Sequence, residues 1–197
     1  MIINIPPQSN SKSLAVIAFL AKNIGSNRLG RTSLMKLLYF IEEWAGVPLD
    51  YSFTIYSYGP FDSEVLSDLG HAQRLGIVST TVETFNGGYG YKIAPGQNVD
   101  SALQFQSVFI NNYKEQLDSI VKNFGSESPS DLELQSTIHF AYHEALASGN
   151  LSQESLAKTV HSIKPKFDLS YIHKAIDRLH SIGAIGNLDH PPIHNAK

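Results

Sequence analysis

The sequence predicts a mostly helical α+β protein, with two winged-helix-like halves bridged by a long helix. Three observations carry this. Apolar residues recur at three- and four-residue spacings through most of the chain, the signature of helices that bury one face. Two β-branched and aromatic stretches, SFTIYSYG and VSTTVETF with YGYKI, interrupt that pattern in the first half only. A Phe–Asp opening, about four helical turns and a glycine exit occur twice, in FDSEVLSDLGHAQRLGIV from Phe61 and FDLSYIHKAIDRLHSIGAIG from Phe167. The expected divisions are residues 1–97, a bridging helix over 98–125, and 126–197.

The first helix runs from about Ser11 to Ile24, with Leu14, Ile17, Ala18, Ala21 and Ile24 on one face and Gly25 as its stop. The second, about Thr32 to Ala45, buries Leu34, Leu37, Leu38, Ile41 and Trp44. SFTIYSYG reads as a strand ended by Gly59-Pro60, because proline lacks the N–H a ladder needs. Asp62 caps a helix to Leu75, Phe61 and Leu66 can close as a hydrophobic staple, and Gly76 stops it. VSTTVETF and YGYKI, joined by Asn86-Gly87-Gly88, make a hairpin, since Asn-Gly accepts positive φ. Three helices and a hairpin give a winged-helix order.

After Pro95-Gly96-Gln97 a long helix capped near Asn98 carries Phe105, Phe109, Tyr113, Leu117, Ile120 and Phe124 in one stripe. Such a stripe packs across both halves of one molecule or forms a homodimer seam. FGSESPSD breaks the chain before a capping box of Ser130 with Glu133. Helices from about Asp131 to Ser148 and Ser152 to Ile163 come next, and a third opens at Phe167-Asp168 after Lys164-Pro165.

Composition excludes several classes. The 197 residues are 42% apolar, enough for a packed core, and contain no cysteine, so thiol nucleophiles, thiolate metal sites and disulfides are absent. MIINIPPQSN lacks the basic flank and long apolar stretch of a signal peptide, and no run nears the roughly 20 apolar residues of a membrane span, so a cytoplasmic protein without membrane partners is expected. Net charge is −3, with five Lys/Arg against two Asp/Glu over residues 1–46 and two against five over 47–96. No basic stripe of the kind a dedicated nucleic-acid binder uses is present.

Catalytic motifs are also missing. Neither a phosphate-loop lysine motif nor a nucleophile elbow occurs, and Gly87-Gly88-Tyr89-Gly90 reads as a hairpin turn. His139 and His143 share a helix face but supply only two metal ligands, with Phe140 where a zincin carries glutamate. Solvent-facing or hydrogen-bonded histidines are the expectation, with no metal, no cofactor and no enzymatic activity.

The residues Lys36, Leu37, Leu38, Tyr39 and Phe40, then Tyr58, Gly59, Pro60 and Phe61, and finally Leu66, Leu69 and Gly76 form a pattern over about residues 12 to 93. That pattern resembles the Panacea-type domain and its relatives, the YwgA-like uncharacterised proteins. The resemblance implies a small winged-helix domain found in antitoxins that neutralise toxins by direct protein contact, and in phage- and mobile-element-associated proteins, without catalysis or cofactor. This chain differs from the plainest antitoxin layout by its helical second half.

The function expected is therefore protein–protein recognition of a toxin or regulatory partner by a monomer or homodimer. Tyr56, Tyr58 and Phe61 alternate about a strand end and can line an aromatic platform, with Gly59 and Pro60 shaping it, Tyr39 beside it, and Glu64 and Asp68 on the acidic helix setting orientation. The alternative is a DNA-binding transcription regulator. The acidic helix from Asp62 would repel phosphates, whereas Tyr171, Lys174 and Arg178 offer a basic helix in the second half, with Lys164 and Lys166 leading in.

Overall fold

The computed structural model describes residues 11–25, 28–85, 88–149, 151–186 and 188. The protein is mostly helical α+β, as the periodicity predicts. In chain order the described residues form α1 (Ser11–Asn23), α2 (Arg31–Glu43), β1 (Thr54–Tyr56), β2 (Gly59–Phe61), α3 (Ser63–Arg74), β3 (Val78–Phe85) and β4 (Gly88–Pro95). Then come α4 (Val99–Phe105), α5 (Ser107–Asn112), α6 (Lys114–Phe124), α7 (Pro129–Ser148), α8 (Gln153–Ile163) and α9 (Leu169–Ser181). Strands β1 and β2 pair with each other, as do β3 and β4. Two compact units result, the first taking the chain up to Thr54 and again Phe61–Leu132, the second Ile55–Pro60 and the chain from Glu133 on.

In the first unit α1 is buried on every side, since each residue from Ser13 to Ala21 is covered. One apolar face was expected. The helix is instead enclosed by α3, α4, α5 and the β3–β4 hairpin, so Ala15, Val16 and Phe19 are core as well. Helix α2 is likewise buried from Ser33 to Ile41, which makes the Lys36–Phe40 segment a structural one. Its end is tied down by Glu42, whose carboxylate accepts from the N–H of Leu49 (3.2 Å) and Tyr51 (3.1 Å). Burial lifts that carboxyl above the usual range despite these bonds. Strands β3 and β4 pair antiparallel from Val78↔Pro95 to Phe85↔Gly88. The expected turn residues Asn86 and Gly87 lie outside the described residues, while Gly88 opens β4.

Three local expectations change. SFTIYSYG is two strands of three residues reversing at Ser57-Tyr58, and Gly59-Pro60 belong to the second. Gly59 takes φ +85, which closes the reversal, and proline is tolerated on a two-stranded ribbon, where both strands are edges. The expected long helix is three consecutive segments, breaking at Gln106 (φ −107, ψ 27) and Tyr113 (φ −113, ψ 18). Segments α4 and α5 pack on α1 and α6 packs on α2, where Phe124 stacks on Phe40 at 4.2 Å between centroids, while Phe105 stays at the surface. Ser128 with Asp131, not the expected box of Ser130 with Glu133, caps the start of α7. Asp131 N–H donates to Ser128 Oγ (3.1 Å), whose hydroxyl donates to the Asp131 carboxylate (2.6 Å), because Pro129 takes the first helical position.

In the second unit α8 packs on α9. Ser152 caps α8 through a reciprocal box with Ser155. Helix α9 repeats α3 at both ends. Asp62 accepts from Glu64 N–H and Asp168 from Tyr171 N–H at the start. At the finish Gly76 (φ 66) and Gly183 (φ 73) turn left-handed, while Ile77 N–H reaches the Ala72 carbonyl and Ala184 N–H the Leu179 carbonyl. No strand comes after α9 among the described residues.

Candidate protein-binding site

Ile55–Pro60, the tip of the β1–β2 hairpin, belongs to the second unit and is held there by a buried charge network. Lys164, at the C-terminal end of α8, is buried; its ammonium donates to the Ser57 carbonyl and to Glu133 Oε1, the latter at 2.6 Å. It also lies 6.0 Å from the Tyr58 ring centroid. The other carboxylate oxygen of Glu133 accepts from Lys166 at 2.9 Å. Burial alone would raise the Glu133 carboxyl, but hydrogen bonds from both lysines outweigh it and hold the group below the usual carboxylate range. Glu133 is thus a buried anion answered by two cations.

Gly59 completes the attachment. A Cβ there would stand 2.8 Å from Thr137 Oγ1 and 3.4 Å from the Glu133 carbonyl, and φ +85 disfavours any side chain, so the tip lies backbone-first on α7. What remains outward is aromatic. Tyr56 is 65% and Tyr58 71% exposed, with Ile55 beside them at the surface. The turn that Lys164 begins is itself pinned, since His161 Nδ1 lies 2.8 Å from the Phe167 carbonyl. Along it Ile163, Leu169 and Tyr171 are exposed, and Phe167 stacks parallel on Tyr171 at 6.0 Å.

The predicted site residues divide accordingly. Tyr56 and Tyr58 are surface groups of the second unit; Phe61, half-buried, and Glu64, exposed, belong to the first. Gly59 and Pro60 are buried and act as supports. Tyr39 is a core residue, edge-on to Phe40 and Phe53, with burial driving its hydroxyl pKa far up. Asp68 is internal too, accepting from the hydroxyls of Ser13 and Tyr51, the latter at 2.9 Å. Neither can meet a partner. An acidic residue on an amphipathic helix gives no sign in sequence of a hydroxyl pair arriving from two distant segments.

Of the basic set, Lys164 is buried as above, and Arg178 is half-buried and donates to Gln135 Oε1 at 2.8 Å. By sequence both belong to the basic set, and their amphipathic stems conceal their pairing from periodicity. Lys166, Tyr171 and Lys174 are exposed. His139 is buried, its Nε2 3.3 Å from Nε2 of exposed His143, and burial together with the neighbouring ring presses it down to about 3. Among the described residues no group of three His, Cys, Asp or Glu is positioned to hold a metal. Sequence reasoning missed Ile55, Ile163 and Leu169 at the surface and Glu133 beneath it; an apolar residue at a turn was the available signal for the first three. Among known proteins, the chain matches no family model and no curated protein. No helix among the described residues is long and apolar enough to cross a membrane.

Proposed function

We propose that the protein is a non-catalytic binding module, antitoxin-like or regulatory, that captures another protein with the β1–β2 tip. The observation supporting this is the pair Tyr56 and Tyr58, mostly exposed yet carried on a turn whose backbone is fastened by Gly59 and Lys164. Exposed tyrosines bring large contact area with few rotatable bonds, and a turn already fixed loses little freedom on binding. Such residues are the common anchors of interfaces. The Panacea resemblance points the same way.

The test begins with a stoichiometric partner recovered from the native host and then purified. Tyr56→Ala and Tyr58→Ala, measured by calorimetry against that partner, should each weaken binding by about 1–2 kcal/mol with melting unchanged. Wild-type affinity in both variants would remove the tip from consideration. The nucleic-acid reading retains Lys166, Tyr171 and Lys174 of its five residues, and absence of a gel shift at low salt would end it.

A further inference from the structure

We propose that the N-terminal end of α2 binds the phosphoryl group of a small phosphorylated molecule, at a site independent of the hairpin tip. A cavity of about 770 Å³ opens there within the first unit. Its floor is set by Gly30. A Cβ at that position would stand 2.7 Å from the Tyr91 carbonyl of β4, so the helix must begin with glycine and no side chain caps it. The first helical bond is donated by Leu34 to the Gly30 carbonyl, which leaves the N–H groups of Arg31, Thr32 and Ser33 outside the helical ladder, at the positive end of the α2 dipole.

Ser33 supplies a second, separate indication. It lines the cavity, is 1% exposed, and its hydroxyl has no hydrogen-bond partner. The carbonyl one helical turn back, that of Leu29, already accepts from Ile93 N–H at 2.8 Å. A buried hydroxyl without a partner is destabilising, and a bound acceptor would remove that penalty.

The charges at the rim favour an anion. The Arg31 guanidinium lies 3.4 Å over the Tyr91 ring, which holds it in place without neutralising it. Arg28 spends one N–H on the Ser126 carbonyl at 2.6 Å and keeps its charge. Lys92 is answered by Glu83 at 3.2 Å, so the two arginines face Glu127 as the remaining acid of the lining. Backbone N–H groups, a hydroxyl and a guanidinium lining one cavity suit the several acceptor oxygens of a phosphate better than a single-atom anion. The volume exceeds what a phosphate fills, and Tyr89, 64% exposed at the rim, offers a ring face for the rest of the molecule.

Calorimetry on the full chain with inorganic phosphate, ribose 5-phosphate and adenosine monophosphate, at matched ionic strength, tests this. Saturable binding of at least one is expected, and its rank against free phosphate tells whether the phosphoryl group alone or the attached group also is held. Arg31→Gln should weaken binding at least about tenfold, the loss of one charge-assisted contact. Because Arg31 also packs on Tyr91, Ser33→Ala is the cleaner variant: it should leave the ligand-free protein as stable or more so while weakening binding several-fold. Lys158→Gln, exposed on α8, should bind as wild type. No saturable binding of any probe up to about 10 mM, weaker than any specific phosphate site would be, or wild-type affinity in both Arg31→Gln and Ser33→Ala, would overturn the proposal.

Discussion

Glu133 and His139 lie six positions apart on α7 and show opposite ways of keeping a polar group inside. Glu133 stays charged because two lysines meet it, and the lysines are not equivalent: Lys164 is 3% and Lys166 51% exposed. Lys164→Ala should therefore destabilise by about 3 kcal/mol, leaving a buried carboxylate half answered, whereas Lys166→Ala should cost below about 1 kcal/mol in chemical denaturation. His139 stays neutral instead. Its folded value of about 3 lies below the ordinary 6.5, so the unfolded chain takes up the proton first as acid is added. Stability should fall between pH 6.5 and 3, by about 2 kcal/mol on going from pH 7 to pH 5. Glu133, held below 4.5, gives its own loss only in more acid solution, and Glu42, raised, acts in the opposite sense just above 4.5. The comparison with His139→Gln is thus the measure: a variant that keeps the wild-type slope between pH 6.5 and 5 would exclude His139 as its source. At this scale sequence was a partial guide. Asp62 and Asp168 were recognisable as caps from the helical periods they precede, but Asp68 and Lys164 hid their roles, because their partners lie tens of residues away.

Outside residues 98–125 the helices were legible to within a residue or two, since each combines a period with a local start and stop. Asp168→Ala should lower the melting temperature, the usual effect of losing an N-cap, and Asp62→Ala should lower it further, because Asp62 also accepts from Ser52 N–H at 2.6 Å and its loss frees that backbone as well. Equal losses in thermal melts would show that the second bond contributes little. The β1–β2 hairpin was not legible, because three-residue strands are too short to display alternation and a Gly-Pro pair ordinarily ends a strand. Nor were the breaks at Gln106 and Tyr113, whose flanking residues keep helical spacing. Local propensity there favours continuation, and packing of α4 and α5 on α1 and of α6 on α2 decides otherwise.

The two units do not correspond to two successive lengths of chain. Ile55–Pro60 comes from the midst of the first unit's sequence and is part of the second. The matching starts and stops of the two Phe–Asp helices were readable; this exchange was not, as six residues carry no periodicity of their own. A fragment beginning at Glu133 retains α8 and α9 but lacks the carbonyl that Lys164 meets and the glycine seated on Thr137. Its circular dichroism should show less helix than the same residues contribute in the intact protein. Full helicity in that fragment would mean the tip is dispensable for folding. The same feature bears on heredity. A recombination crossover at any one point in the gene divides the second unit or carries part of the first along with it, so the pair is expected to descend as one indivisible cassette.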